Sequence, residues 1–283
     1  HTMKKLLFIF SILFVATTVT AQIEAPQPSP IAKSMQTVGL TEVALEYSRP
    51  AKRGREIFGE LVPFDKLWRT GANANSMITF SDDVKFAGTD VKAGTYAVYT
   101  KPAKKEWTVM LYNDTSNWGN PGTWDASKVV ATTTVETSML KNGIESWTMA
   151  INELSMEGAH LQMMWDKTMV AVPFTVPTAA KTLASIEKVM AGPGANDYYS
   201  AATFYLDANK NLQQAHEWIS KAVDAKPEAF WMHRKKALIE SEMGNKSAAI
   251  ANAMTSLAIA EKAGNMDYVK LNKDSLMEWG VKL

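Results

Sequence analysis

The segment from Arg49 to Asn73 holds the side chains with the clearest capacity for chemistry. Basic charge gathers there in a chain that is otherwise balanced, and the candidate ligand-binding residues of the segment are Arg49, Arg53, Arg55, Trp68, Arg69 and Asn73. Guanidinium groups match the paired oxygens of carboxylates and phosphates. A loop that adds an aromatic ring and an amide, held on a rigid scaffold, suits a small anionic or sugar ligand. The segment therefore predicts a ligand-binding site.

The same arginines also fit a structural role. Four carboxylates lie in or beside the segment, at Glu46, Glu56, Glu60 and Asp65. Ion pairs with these groups would pin a long loop to the scaffold and would leave no guanidinium for a ligand. The residue types alone do not decide between the two roles, so the sequence leaves both open.

Another candidate, Trp118, lies in a stretch rich in Asn and Gly between Asn113 and Ser127. An exposed indole on a loop of a β domain is a stacking platform for sugar rings, as in carbohydrate-binding modules. Alternatively, Trp118 and Trp124 plug the edge of the β domain and contribute mostly buried apolar area. Both interpretations fit the neighbouring residues, because Gly and Asn are equally typical of turns.

Patterns for catalysis, metal binding and cofactor binding are missing from the sequence. Without cysteine, the chain has no disulfide, no thiolate metal site and no Cys nucleophile. His160 is the one histidine of the β region, and His216-Glu217 lacks the second histidine of a zinc-protease motif. The glycine fingerprint of dinucleotide enzymes is absent as well. We therefore expect no catalytic residue, no metal and no cofactor.

The first residues have the pattern of a cleavable Sec signal peptide. Two lysines precede an apolar run, Leu6–Val15, that is too short to span a bilayer, and small residues follow it up to Ala21. We expect a signal peptide over 1–21, which includes a two-residue remnant at its start, and a periplasmic or secreted mature protein. Removal of the signal peptide lowers the net charge of the chain from +1 to −1. A mature protein with almost no net charge is not expected to bind nucleic acid. We also expect no stable membrane insertion after the signal peptide is cleaved.

Residues 31–178 alternate apolar and polar side chains in short runs, which is the period of strands with one buried face. The runs are Thr41–Tyr47, Ser76–Phe80, Thr95–Tyr99, Trp107–Tyr112, Val129–Val135, Ser146–Leu154 and Ala159–Trp165. Turn residues separate them, and no helical pattern intervenes. We therefore predict an antiparallel β-sandwich-like domain, reached through a linker at 22–30.

From residue 179 to residue 283 the period changes to that of helices. Ala215 and Ala249 occupy matching positions in two similar segments that lie 34 residues apart, the tetratricopeptide period. Small residues there let the two helices of a repeat approach closely. Glu240 departs from the pattern, because its position is usually aromatic. We predict tetratricopeptide-like helical hairpins, with a generic helical array as the alternative.

A family resemblance rests on four stretches, which are Tyr47–Asn73, Ile78–Phe80, Val91–Tyr96 and Glu106–Val109. They resemble the exported bacterial family called domain of unknown function 2911, over roughly residues 29–178. The resemblance implies a β-sandwich-like domain in secreted or periplasmic proteins, sometimes followed by tetratricopeptide-like helices. It brings no established activity, so no catalytic residue carries over from it.

Together these patterns favour an exported, non-enzymatic binding or scaffold protein of the bacterial envelope. Its β domain would hold a small anionic or sugar ligand, and its helical tail would contact a protein partner. The alternative is an envelope hydrolase or carbohydrate-active protein with a pocket lined by Arg69, Asn73 and Trp118. If Arg49, Arg55 and Arg69 converge on an open pocket that holds an uncompensated carboxylate, the enzyme alternative gains support. If each arginine is paired and buried, the site hypothesis fails.

Overall fold

The computed structural model describes residues 25–190 and 192–282, so the predicted signal peptide lies outside the described residues. Within them, ten strands precede six α-helices. The strands are β1 (Ile31–Val38), β2 (Thr41–Ser48), β3 (Met77–Phe80), β4 (Val84–Phe86), β5 (Thr89–Val91), β6 (Gly94–Pro102), β7 (Glu106–Tyr112), β8 (Val129–Glu136), β9 (Ser138–Asn152) and β10 (Gly158–Thr175). The helices are α1 (Thr178–Val189), α2 (Ala195–Asp207), α3 (Leu212–Ala225), α4 (Phe230–Glu242), α5 (Lys246–Lys262) and α6 (Met266–Glu278). The predicted order of β then α is confirmed.

The strands form two antiparallel sheets that share one apolar core. The larger sheet has the order β1-β2-β3-β6-β7-β8, and the smaller has the order β5-β4-β10-β9. Strand β2 shows why they face each other, because Val43, Leu45 and Tyr47 are buried while the residues between them are more exposed. Buried side chains of both sheets join one cluster. The predicted sandwich-like arrangement follows from this alternation.

The middle of the larger sheet is covered on its outer side as well. Tyr99 and Tyr112 point away from the shared core and are nevertheless buried. Trp124 stacks on Tyr112 with ring centroids 4.5 Å apart, so the stretch between β7 and β8 covers this face. Trp124 therefore packs on the outer face of the larger sheet, whereas the interpretation from the sequence placed it at the edge of the β domain.

Strands β9 and β10 are longer than the sequence predicted. The alternation indicated Ser146–Leu154 and Ala159–Trp165, whereas the hairpin spans Ser138–Asn152 and Gly158–Thr175. The register shifts on both sides of Asp166, so the side-chain period is interrupted there. Beyond the irregularity, β10 continues and pairs with β4. Strands β4 and β5 have three residues each, too few for a period to be recognised.

The helices have the 34-residue register that the sequence predicted. Helices α3 and α5 begin 34 residues apart, and the side chains of Asn211 and Asn245 cap them in the same way. The equivalent small or apolar residues are fully buried in both units, namely Ala215, Ile219, Ala222, Ala249, Ala253 and Ser256. Consecutive helices from α2 to α6 pack against each other. The close approach of paired helices thus depends on small side chains at fixed positions.

Glu240, the residue that departs from the repeat pattern, is buried inside the helical region. Its carboxylate lies 3.1 Å from Nε2 of His216 and accepts a hydrogen bond of 2.8 Å from Nδ2 of Asn252. The imidazole and the amide replace the apolar contacts that an aromatic ring would make, so a charged residue is tolerated there.

Helix α1 is attached to the sandwich by its first turns. The ammonium of Lys181 donates to both carboxylate oxygens of Asp82 at 2.9 Å and to the carbonyl of Leu40 at 3.1 Å. The hydrogen bond from Lys181 holds the pKa of Asp82 below its usual value, with help from Thr41. Within the described residues, no helix has the length and apolar character needed to cross a membrane.

We predict that Ala249→Leu destabilises the helical region by about 1–3 kcal/mol, because the added atoms have no space between α4 and α5. Ala251→Leu on the exposed side of the same helix is the control and should change the stability by less than about 0.5 kcal/mol. Urea denaturation followed by circular dichroism measures both. Equal losses in the two variants would contradict the repeat packing.

We further predict that Asp82→Asn increases amide hydrogen exchange over α1, since the ion pair with Lys181 is lost. Asp83→Asn is the matched control, because Asp83 pairs with Lys92 and not with α1. A lowered pKa means that the contribution of Asp82 is present above its unfolded pKa and is lost as pH falls through the folded value. The difference between wild type and Asp82→Asn should therefore disappear in acid. A difference that persists would contradict the ion pair.

Candidate functional site

Residues 49–73, here called the arginine segment, leave the larger sheet after β2 and are anchored by apolar side chains. Ile57 and Val62 are buried in the shared core, and Phe58 and Trp68 pack against it. Trp68 lies edge-on to Trp147 with ring centroids 4.7 Å apart. These apolar contacts anchor the segment to the core of the domain.

Backbone hydrogen bonds join the arginine segment to both sheets. Trp68 exchanges two bonds with Thr100 of β6, at 2.8 and 3.0 Å. On the other side, the amide of Lys52 donates to the carbonyl of Glu145 in β9 at 2.7 Å. The Oε1 carboxylate oxygen of Glu145 also accepts from the amide of Arg53 at 2.7 Å. These bonds pair part of the backbone of an irregular segment with both sheets.

The backbone of the segment is unusual in its conformation. In the described chain, eight residues other than glycine have a positive φ, and four of them are Arg53, Asp65, Thr70 and Asn73. Arg53 and Gly54 both have a positive φ, and the amide of Arg55 donates to the carbonyl of Lys52 at 3.1 Å. This tight turn is of type I′. Strained backbone of this kind concentrates where function requires a particular side-chain arrangement.

Three arginines of the segment line one cavity of about 400 Å³, here called the arginine pocket. Cationic and apolar side chains share its wall with backbone of the linker that precedes β1. The lining residues are Pro28, Ser29, Pro50, Ala51, Arg53, Arg55, Leu61, Val62, Trp68, Arg69, Gly71, Ala72 and Trp165. This lining contains three guanidinium groups and no carboxylate.

The three guanidinium groups bond only in part with the protein. Arg53 donates from Nη2 to the carbonyl of Pro28 at 3.0 Å. Arg55 donates from Nε and Nη2 to the carbonyls of Lys52 and Ala51 at 3.0 and 2.6 Å. Nε of Arg69 is buried and has no hydrogen-bond partner in the described part of the chain. The indole nitrogens of Trp107 and Trp147 are buried without a partner in the same way, so this donor alone does not mark a site.

In the described residues, the arginines of the segment do not form the ion pairs with nearby carboxylates that a structural role would use. Within residues 25–190 and 192–282, none of the segment's arginines lies within 4.0 Å of a carboxylate oxygen through its guanidinium. Glu46 pairs with Lys33 at 3.0 Å, and Asp166 pairs with Lys52 at 2.7 Å. Ion pairs of these arginines therefore do not hold the segment. Apolar burial holds it, together with guanidinium hydrogen bonds from Arg49 and Arg53 to backbone carbonyls.

The remaining candidate residues lie outside the lining of the pocket. Arg49 donates to the carbonyl of Trp147 at 3.0 Å and to Oγ1 of Thr148 at 2.9 Å, so it joins β2 to β9. Asn73 donates to the carbonyl of Ser29 at 3.2 Å and thereby holds the linker. Both residues position the wall of the pocket. A pocket lined jointly by Arg69, Asn73 and Trp118 is therefore not formed.

Trp118 is 77% exposed and does not plug the edge of the sheet. Its neighbour Gly119 is the closer link to the site, because a Cβ at Gly119 would lie 3.3 Å from Nη1 of Arg69. The stretch between β7 and β8 therefore places Gly119 next to Arg69, whereas Trp118 is not among the residues that line the arginine pocket. Trp118 is thus exposed and Trp124 is packed on the larger sheet, a difference that the sequence did not predict.

Sequence reasoning missed the apolar side of the pocket and its linker wall. Leu61, Val62 and Trp165 follow patterns that indicate core residues, so nothing marked them as part of a site. Pro28 and Ser29 lie in the predicted linker, where composition gives no signal for a contact. The one signal for the site in the sequence is the clustering of arginine. Four of the five arginines of the chain lie between residues 49 and 69.

A second cavity of similar size, on the outer face of the larger sheet, differs from the arginine pocket in its charges. It is lined in part by Lys33, Met35, Glu46 and Met77. Its two charged residues form an ion pair with each other. The arginine pocket differs because its charges have one sign and are not neutralised from within its wall.

The family model described as Protein of unknown function (DUF2911) matches residues 29–174, just over half of the chain. The chain belongs to this family. The DUF2911 match begins at the linker wall of the pocket, includes the whole arginine segment and ends within β10, before the helices. No curated protein and no solved structure matches the chain.

We predict that Gly71→Ala destabilises this DUF2911 domain by more than about 1 kcal/mol. Gly71 has a φ of +156°, and a Cβ there would lie 2.8 Å from Oγ of Ser76 and 3.2 Å from the carbonyl oxygen of Ser48. Gly122→Ala is the control, because a Cβ at Gly122 meets nothing within 4 Å. Thermal and urea unfolding measure both variants. A Gly71→Ala protein as stable as the control would contradict the close packing behind the pocket.

Proposed function

We propose that this DUF2911 protein is an exported binding protein of the bacterial envelope that takes up a small anionic ligand in the arginine pocket. One observation carries the proposal. Arg53, Arg55 and Arg69 line a single cavity whose wall contains no carboxylate. The size of the cavity is within the range of sites for small molecules.

Electrostatics supports a ligand of negative charge. Arginine remains protonated at every physiological pH, so the three groups cannot relieve their repulsion by losing protons. Like charges in one cavity wall raise the free energy of the empty protein, and the nearby carboxylate of Glu145, which accepts from the amide of Arg53, offsets only part of it. An anion in the pocket offsets the remaining repulsion and accepts hydrogen bonds from the guanidinium groups that line it.

Binding is favoured over hydrolysis by the kind of groups that line the cavity. General acid–base catalysis requires a group that exchanges protons near neutral pH, most often His, Glu or Asp. Among the described residues, the lining offers none of these, and Ser29 is its one hydroxyl side chain. Fixed cations, an indole and aliphatic side chains recognise a ligand without transforming it.

The helical region supports the second half of the proposal, a contact with another protein. Stacked helical hairpins present extended surfaces, and such arrays commonly bind partners. Helix α1 links this surface to the sandwich through Lys181 and Asp82. A scaffold role for the helices, beside a ligand site in the sandwich, follows from that arrangement.

The test is calorimetric titration of the whole mature protein with benzoate, benzenesulfonate and phenyl phosphate, with benzyl alcohol as the neutral comparison. At least one of the anions should bind saturably at one site. Arg69→Gln should weaken that binding at least about tenfold, because a charge-assisted hydrogen bond of this kind contributes about 1.5–3 kcal/mol.

Lys262→Gln is the charge-matched control, since Lys262 is exposed at the end of α5, outside the pocket lining. It should leave anion binding unchanged. Saturable binding that Arg69→Gln leaves intact, or the failure of every anion to bind, would refute the proposed site.

A further inference from the structure

The arginine pocket has two unlike halves, which restricts its ligand more than charge alone does. Arg53, Arg55 and Arg69 form the cationic half. Leu61, Val62 and the ring of Trp68 form the apolar half. A small inorganic anion would satisfy the first half and leave the second in contact with water. The complementary ligand therefore joins an anionic group to an apolar body.

The ring of Trp68 is fixed in the orientation that it presents to the pocket. Its indole nitrogen donates to the carbonyl of Gly71 at 3.2 Å, and the ring stacks near-parallel on Trp165 with centroids 6.1 Å apart. Trp68 is only half-buried and is one of the residues that line the cavity. A rigid, partly open indole favours a flat ring over a flexible chain, since no side-chain freedom is lost on stacking.

The charge of the cationic half favours a dianion. Three arginines line the cavity, and its lining contains no acidic side chain. A carboxylate or sulfonate neutralises one of them. A phosphomonoester carries a charge of about −1.5 to −2 at pH 7 and three strongly accepting oxygens. It can therefore accept from several of the guanidinium groups that line the cavity at once.

We infer that the pocket binds a phosphomonoester attached to a flat ring, with the phosphate at Arg69 and the ring on Trp68. The inference rests on the proposed function, because it names the ligand class of the same site. Arg69 is then the residue that distinguishes a dianion from a monoanion, and Trp68 is the residue that distinguishes a ring-bearing phosphate from free phosphate.

Three probes separate these contributions in calorimetric titrations of the whole mature protein at pH 7.5. Phenyl phosphate has both features, inorganic phosphate lacks the ring, and benzenesulfonate has the ring with a single charge. We expect phenyl phosphate to bind at least tenfold more tightly than either of the others. Arg69→Gln should bring phenyl phosphate down to the affinity of benzenesulfonate, while Lys262→Gln should leave the order unchanged.

The dependence on pH provides a second, independent readout. The second ionisation of a phosphomonoester lies near pH 6, so lowering the pH from 7.5 to 5.0 should weaken phenyl phosphate binding about tenfold. Benzenesulfonate remains a monoanion over this range. The charged groups next to the cavity are Glu145, Asp166 and Lys52. Any change that acidification makes in the protein itself also weakens or strengthens benzenesulfonate binding, so a loss of about tenfold that is confined to phenyl phosphate belongs to the phosphate.

The outcomes distinguish this inference from the proposed function on which it rests. If benzenesulfonate binds as tightly as phenyl phosphate, or both respond alike to pH, the phosphate assignment is overturned and the anion site stands. If inorganic phosphate binds as tightly as phenyl phosphate, the role of Trp68 is overturned. If no probe binds in a manner that depends on Arg69, both proposals are overturned.

Discussion

Burial of the apolar side chains of the arginine segment is the constraint on which the rest of the site depends. Ordering an irregular segment of this length costs conformational entropy at every residue, and side chains such as Phe58 and Trp68 offset that cost by packing against the shared core. Since packing holds the segment in place, its arginines need no carboxylate partners inside the protein. A segment held by ion pairs would have neutralised the same guanidinium groups. The anchoring by aromatic rings is thus what leaves a cluster of cations facing a cavity.

The two sheets and the linker share the task of holding this arrangement. The larger sheet bonds to Trp68 through Thr100, and the smaller sheet bonds to the turn at Arg53 through Glu145. The linker closes the wall, because Arg53 and Asn73 each donate to a carbonyl of Pro28 or Ser29. A cavity made by three parts of one domain is stable only when the domain is fully folded. The helical region, by contrast, has its own apolar clusters and depends on small side chains between helices.

The sequence predicted the parts of the fold that have an unbroken period. The alternation of β2 and the 34-residue register from Ala215 to Ala249 are confirmed, because each follows from which side chains must be buried. The irregularity around Asp166 interrupts the period, so the full extent of β9 and β10 was missed. In the site, the arginines were recognisable by type, and three of them do line one cavity. Leu61 and Trp165, which line the same cavity, have the residue types of an ordinary core, so the sequence did not mark them. Trp118 is exposed and Trp124 is packed on the sheet because of tertiary contacts, which no local pattern encodes.

The most direct test of the central claim is a crystal structure of the protein with 4-bromophenyl phosphate, with data collected at the bromine absorption edge. The account predicts an anomalous bromine peak beside the ring of Trp68 and phosphate density within hydrogen-bond distance of Arg69. The arginine segment should keep its conformation, because apolar packing holds it with or without a ligand. Bromine only at other positions, or arginine side chains turned toward carboxylates of their own chain, would contradict the account.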